Sequence, residues 1–197
     1  MPSGFWRPDG PLRQAVDRMR DYQRPWAVAG GWAIDLFVGR ETRPHADVDI
    51  ATFRSDQNVL FRHLATASLS RVRDGALSEW HADETLVLPV HEVHATWPDG
   101  DSAELLLNER DAEENWVFRR DARVRLPLRR AIQYRDGVPY LAPEIALLYK
   151  SNDLSPKNHG DLDAALGLMS GEQIRWLRSA IALGSPRHAW LGRLTLT

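Results

Sequence analysis

Two aspartates one residue apart, Asp47 and Asp49, follow two adjacent glycines, Gly30 and Gly31, within the single stretch from Trp26 to Thr52. In an extended segment side chains alternate between faces. Asp47 and Asp49 would therefore share one face with α-carbons roughly 7 Å apart, while Val48 and Ile50 turn into a core. Carboxylates held so close repel, and each resists ionisation unless a cation intervenes. The pair predicts a metal, and hard oxygen ligands in a chain without cysteine favour magnesium over zinc. Glycines ahead of a helix let backbone N–H groups approach an anion closely, where the helix dipole also favours negative charge. Each feature alone has a plainer reading: Gly-Gly is a weak signal, and Asp-x-Asp is often a solvated strand edge. In this order, glycine turn and then acidic strand, they predict a metal and a phosphate bound together.

A third carboxylate stands out further along. Glu104 interrupts the apolar run Ala103-Glu104-Leu105-Leu106-Leu107, and an unpaired carboxylate in such a run costs several kcal/mol unless it is neutralised or meets a cation. The same metal would supply that cation. Lys150, at the end of the apolar run Ile145–Tyr149, would either complement its helix C-terminus or reach a phosphate.

These residues need a scaffold. Trp26–Ala29 reads as a short strand, Trp32–Val38 as a helix stopped by Gly39, and Asp47–Ala51 as a second strand. Before them residues 1–10 read as coil and Pro11–Gln23 as a helix with Leu12, Ala15, Val16 and Met19 inward. After them Asp56–Ala67 has helical spacing, with His63 as a satisfied histidine. Strand patterns then follow at Ser70–Arg73, Thr85–Leu88 and His91–Trp97, the last with Val93, Ala95 and Trp97 on one side. Asp99-Gly100 turns the chain into Ser102–Asn108, which should pair antiparallel with His91–Trp97. Short strands at Trp116–Arg120, Ala122–Leu128 and Ala131–Arg135 lead to a turn at Asp136-Gly137. From Leu141 the pattern is helical: a start at Ala142-Pro143-Glu144, a helix over Asn158–Met169, and a third opened by the capping box Ser170-Gly171-Glu172-Gln173. Asp161 and Asp163 read as helix-start and surface charges. Asp35 reads as a group that fixes the following loop, and Trp32, Trp97 and Trp116 as core.

With 197 residues, 43% hydrophobic content and a net charge of -2, the chain has the size of one globular unit with a small second subdomain. No apolar run is long enough to span a bilayer, and Met1-Pro2-Ser3-Gly4 lacks a signal peptide's pattern, so a cytoplasmic location is expected. Lys150 and Lys157 are the only lysines. The arginines between Arg119 and Arg135 give a local positive bias, but balanced overall charge and no stacking-aromatic motif argue against nucleic acid as partner.

Gly30-Gly31-Trp32-Ala33-Ile34-Asp35, then Gly39-Arg40, then Arg43-Pro44-His45-Ala46-Asp47-Val48-Asp49 resembles the DNA polymerase β type nucleotidyltransferase superfamily. More narrowly it is similar to the aminoglycoside 2''-nucleotidyltransferases and lincosamide nucleotidyltransferases. The strong likeness covers about residues 26–51. It implies an α/β (α+β) fold: a mixed-sheet nucleotidyltransferase core over residues 1–140 and a C-terminal helical subdomain over residues 141–197. It implies transfer of a nucleoside monophosphate, most simply AMP from ATP, to a hydroxyl of a small molecule such as an aminoglycoside or lincosamide antibiotic. Asp47, Asp49 and Glu104 would hold two magnesium ions. Gly30 and Gly31 would cradle the phosphates, Arg40, Arg43 and His45 would be phosphate-side or loop-fixing groups, and Lys150 would meet the nucleotide. Aspartate is more usual in these families at the Glu104 position, and Glu109 competes with Glu104 for it. A large acceptor, tRNA or protein, and a non-catalytic nucleotide-binding protein of the same fold remain as alternative readings; the oligomeric state is open.

Glu109, Asp111, Glu113 and Glu114 form an acidic turn directly after the Glu104 strand. It reads either as a solvated loop or as an acidic lip that draws a polycationic acceptor to the site.

Overall fold

The structure, a computed structural model, describes residues 10–195; the coil expected at residues 1–9 lies outside them. The apolar run before the glycines forms a two-residue strand, β1 (Ala27–Val28), and the chain passes directly into α2 (Gly30–Val38). Gly30 has φ +59°, a left-handed conformation that favours glycine. Gly39, at φ +88°, closes the helix with an αL cap, its N–H donating to the Asp35 carbonyl at 2.7 Å. Ahead of this unit lies α1 (Pro11–Arg18), shorter than the expected Pro11–Gln23 because the backbone turns at Met19 and Tyr22.

The acidic strand becomes β2 (Asp49–Phe53), so Asp47 sits just outside it; α3 (Gln57–His63) follows. The remaining strands are β3 (Ser68–Arg73), β4 (Ala76–Glu79), β5 (Glu92–Thr96), β6 (Ser102–Arg110), β7 (Asn115–Val117), β8 (Arg125–Pro127), β9 (Ile132–Arg135) and β10 (Val138–Leu141). The one-turn helix α4 (Leu128–Ala131) precedes β9. They form one mixed sheet in the order β4-β3-β5-β6-β2-β1-β10-β9, with β7 joining β6 to β8. β2 runs parallel to β6 and β1 parallel to β10, while β5 pairs antiparallel with β6 as the Asp99-Gly100 turn implies.

The region between β3 and β5 departs from the sequence pattern. Thr85–Leu88 is not a strand: the Gln57 side chain takes both backbone groups of Leu86, accepting from its N–H at 2.7 Å and donating to its carbonyl at 3.1 Å. That pairing leaves Val87 and Leu88 exposed. The strand lies at β4 instead, folded back on β3 by Asp74-Gly75, both at positive φ, the geometry of a two-residue hairpin turn.

Three helices follow β10, α5 (Pro143–Lys150), α6 (Pro156–Leu166) and α7 (Gly171–Gly184), and α6 packs on both α2 and α5. α5 packs on α2, and α7 packs on α5. The Ser170–Gln173 capping box is formed at the start of α7, and Gln173 also donates to the buried Glu144 at 2.9 Å. Ile50, Leu105 and Leu107 fill the core on one face of the sheet, so the alternate residues Asp49, Glu104 and Leu106 face the other. Trp32, Trp97 and Trp116 are buried, as are Trp80 and Trp190. No helix among the described residues is long and apolar enough to cross a membrane.

Candidate active site

Parallel pairing of β2 and β6 places Asp49 directly beside Glu104. The register is held by backbone bonds on both sides: Ala29 N–H donates to the Asp49 carbonyl at 2.8 Å, and Glu104 N–H to the Val48 carbonyl at 2.9 Å. Asp47, exposed at the strand's entrance, has its own carbonyl held at 3.1 Å by the indole N–H of Trp32. Burial, then Glu104 and Asp47, push the Asp49 carboxyl up to about 7. Burial, with Glu92 and Asp47, also lifts Glu104 above the usual carboxylate range, opposed by His94 and by a hydrogen bond with Asp49. Asp49 and Glu104, both raised above the usual carboxylate range, with Asp47 two residues before Asp49, are the donor chemistry a hard divalent cation satisfies, so the residues fit magnesium.

Glycine is required at Gly30 for a reason beyond φ. A Cβ there would collide with the Asp49 carboxylate, so backbone and carboxylate are in direct apposition. Gly31 faces the other way: its Cβ would strike His45 and Arg43, so this glycine lets the loop before β2 close on α2. The loop is fixed there by buried polar contacts. His45 Nε2 lies 2.6 Å from the fully buried Asp35 carboxylate and its ring stacks on Trp32, and Thr42 bonds to the same carboxylate. Arg43 forks onto Asp161 at 2.9 and 3.1 Å, and Lys150 reaches the same carboxylate at 2.8 Å. Asp161 is thus no surface charge. It is 1% exposed, and although burial would raise it, the bonds from Arg43 and Lys150 hold it below the usual range.

A cleft of about 320 Å³ opens from these carboxylates. Gly30, Asp49 and Glu104 line one end, Arg119, Arg120 and Tyr149 the other, and Lys150 and Lys157 stand along its side. Arg40, Arg43 and His45 do not line it; Arg40 is exposed, and the other two are engaged in the loop contacts above. Glu109 lies on the opposite face of β6 from Glu104 and binds Arg54 at 2.7 Å, so it is not brought to Asp49. The acidic turn does not rim the cleft either. Asp111 and Glu113 pair with Arg125 at 3.1 and 3.9 Å, Glu114 pairs with Arg110 at 3.4 Å, and Glu113 and Glu114 border a separate open groove beside α1.

Sequence reasoning passed over Glu92 and His94. His94 sits across from Glu104 on β5, its Nε2 2.7 Å from Glu92 and 4.0 Å from Glu104. The signal was the alternation itself: with Val93, Ala95 and Trp97 inward, Glu92 and His94 must face the side of Glu104. It likewise recorded Arg119 and Arg120 only as part of a basic run.

The family described as aminoglycoside-2''-adenylyltransferase matches residues 11–164 of the chain. Among solved structures, the solution structure of the antibiotic-resistance factor ANT(2'')-Ia aligns with a TM-score of 0.60 at 14% identity, covering 93% of this chain and 94% of that one. ANT(2'')-Ia in complex with adenylyl-2''-tobramycin gives 0.58 at 15%, covering 88% and 97%. The lincosamide antibiotic adenylyltransferase LnuA with lincomycin bound gives 0.57 at 14%, covering 82% and 98%. At these identities the likeness is one of fold. No curated protein matches the sequence.

Proposed function

The chain belongs to the aminoglycoside-2''-adenylyltransferase family and is a nucleotidyltransferase, and from that premise we propose that it transfers a nucleoside monophosphate, AMP from ATP, to a hydroxyl of a small acceptor with magnesium. The observation that carries this reading is the side-by-side placement of Asp49 and Glu104 on parallel strands, opposite the backbone of Gly30. Asp47, Asp49 and Glu104 would hold the ions; when bound, these lower the pKa of the acceptor hydroxyl and neutralise phosphate charge. Gly30 and the first N–H groups of α2 face the phosphates, for which the missing Cβ leaves room. Lys150, anchored by Asp161 but lining the cleft, contributes positive charge on the nucleotide side. Arg43 and His45 act at one remove, locking the loop that delivers Asp47. The part of the chain before residue 141 supplies the carboxylates, and α5 with the first turn of α6 supplies the helical wall of the cleft. Lincomycin and the tobramycin adduct in the fold relatives are small, hydroxyl-bearing molecules, the broad acceptor class proposed here.

Pyrophosphate release from ATP across a panel of small hydroxyl-bearing acceptors tests the proposal. Asp49→Asn should lower kcat/KM by about 10³-fold or more, the loss of several kcal/mol of transition-state stabilisation, while the far-UV spectrum stays unchanged. Full magnesium-dependent activity in that variant would overturn it.

A further inference from the structure

The cleft that is lined by Asp49 and Glu104 is also lined by Arg119 and Arg120. Arg119 and Arg120 are consecutive, and both place their guanidinium groups over the Tyr149 ring, at 5.5 and 5.7 Å from its centroid. Among the described residues neither has a carboxylate within ion-pair distance, whereas the neighbouring Arg110, Arg123 and Arg125 all do. Arg120 lies against the side-chain amide of Asn152, whose oxygen accepts from it when the amide is turned to the orientation that satisfies both groups. The platform beneath them is fixed: the Tyr149 hydroxyl donates to Asn108 Oδ1 at 3.1 Å, and the Trp116 indole donates to the same oxygen at 2.9 Å. Adjacent like charges oppose each other, and burial together with Arg119 lowers the pKa of Arg120. A pair of guanidinium groups that line the cleft and are paired with no carboxylate is a ready receptor for a planar or tetrahedral anion.

We propose that this end of the cleft is an anion-binding subsite for the acceptor, formed by Arg119 and Arg120 on Tyr149, and that the acceptor therefore bears a phosphate or carboxylate. The proposal rests on the nucleotidyl-transfer reading and narrows it. Asn108, which anchors Tyr149, lies four residues beyond Glu104 on β6, about 13 Å along the strand. A nucleotide whose reacting phosphate sits at Asp49 and Glu104 already has Gly30 and Lys150 beside it. The arginine pair at the other end is left to the second substrate. A polycationic acceptor would meet like charge there, and the acidic turn that would attract one borders another groove with its carboxylates already paired.

The test is calorimetric titration of the magnesium-loaded protein, saturated with a non-hydrolysable ATP analogue, with glycerol 3-phosphate, glycerol and tobramycin. Glycerol 3-phosphate should bind at least about tenfold more tightly than glycerol, as a charge-assisted pair of hydrogen bonds would give. The double substitution R119Q/R120Q should remove that difference while leaving the affinity for the analogue within about twofold, and R119K/R120K should retain part of it. Three results would overturn the proposal: glycerol 3-phosphate binding no better than glycerol, tobramycin binding the loaded protein more tightly than glycerol 3-phosphate, or R119Q/R120Q weakening the analogue itself by about tenfold, which would assign the arginines to the triphosphate. Should the analogue not bind at all, nucleotidyl transfer fails as a reading, and the same titrations on the free protein still decide whether the anion subsite exists.

Discussion

Two carboxylate clusters lie on the same strand of this molecule and behave in opposite ways. At the start of β6, Glu104 lies beside Asp49, and burial together with nearby carboxylates raises both. At its end and in the turn beyond, Glu109, Asp111, Glu113 and Glu114 are met by Arg54, Arg110 and Arg125, and hydrogen bonds led by the Asn115 N–H hold Asp111 below its usual range. The second cluster has its counter-charges built in, whereas Lys150 and His94 offset the first only in part and both carboxyls stay raised. A site that must recruit a divalent cation has to be left uncompensated by the protein, so the missing partners, more than the number of acids, mark the chemistry.

The largest expected effect sets one member of each cluster against the other. Glu104→Gln should reduce kcat/KM by about 10² to 10³-fold through loss of a metal-facing carboxylate, while Glu109→Gln, on the opposite face of β6, should leave it within about threefold. Steady-state kinetics on both variants checks this. If Glu109→Gln carried the greater loss, the assignment of faces along β6 would fail.

A third carboxylate sharpens the contrast, because Asp161 is compensated and buried at once. Removing its charge by Asp161→Asn leaves Arg43 and Lys150 without their partner and should cost about 3 kcal/mol of stability, as expected for a broken buried pair. Thermal unfolding of the metal-free protein measures it. A change under about 0.5 kcal/mol would show that solvent replaces the pair without loss.

The clusters should also separate in pH. Asp49 has its folded pKa raised to about 7 from an unfolded value of 3.8, so the stabilisation from its bound proton is full below about pH 4 and is lost as pH rises through 7. A full displacement of that size corresponds to about 4 kcal/mol; with Glu104 competing for the same proton, a loss of about 2 kcal/mol is expected. Asp111 is displaced downwards, so its contribution is present at neutral pH and disappears as the medium is acidified. Melting curves of the metal-free protein should thus decline between pH 5 and 7.5, with magnesium removing the decline. A profile flat in that window without magnesium would mean the three carboxyls do not interact as their placement implies.

Much of this arrangement was legible beforehand, for identifiable reasons. Glycine turn, Asp-x-Asp and the isolated Glu104 are local patterns, and period-two alternation placed them on faces that the β2–β6 pairing then brought together. Partners distant in sequence were not legible. Arg43 and Asp161 are 118 residues apart, and nothing in the spacing of either says that a loop and a helix meet there. Gln57 claiming the backbone of Leu86 is of the same kind, and it erased a strand that the local pattern favoured. The Asp74-Gly75 hairpin was different: its turn signal is local, but β4 is exposed along its whole length and so has no buried face to mark it as a strand.

The smallest expected effect concerns the acidic turn, where the sequence alone allowed a rim that attracts cations. Glu113 and Glu114 are mostly exposed, with 74% and 64% of their side chains accessible, and their ion pairs with Arg125 and Arg110 are of a surface kind worth at most about 1 kcal/mol. They border the groove beside α1, away from Asp49 and Glu104, so any pull on a ligand at the cleft acts across solvent and is screened within about 10 Å at 0.1 M salt. Neutralising both, as E113Q/E114Q, should therefore change stability by less than about 1 kcal/mol and leave the acceptor KM within about twofold at low and high salt alike. The measurement is steady-state kinetics at two ionic strengths with whichever acceptor of the hydroxyl-bearing panel is turned over, with tobramycin as a competing ligand. A salt-dependent rise in the acceptor KM, or tobramycin inhibition that the double substitution relieves, would give the turn a role in substrate capture and would dissolve the distinction between the two clusters. An unchanged KM would leave Arg119 and Arg120, at the cleft itself, as the charges that select the acceptor.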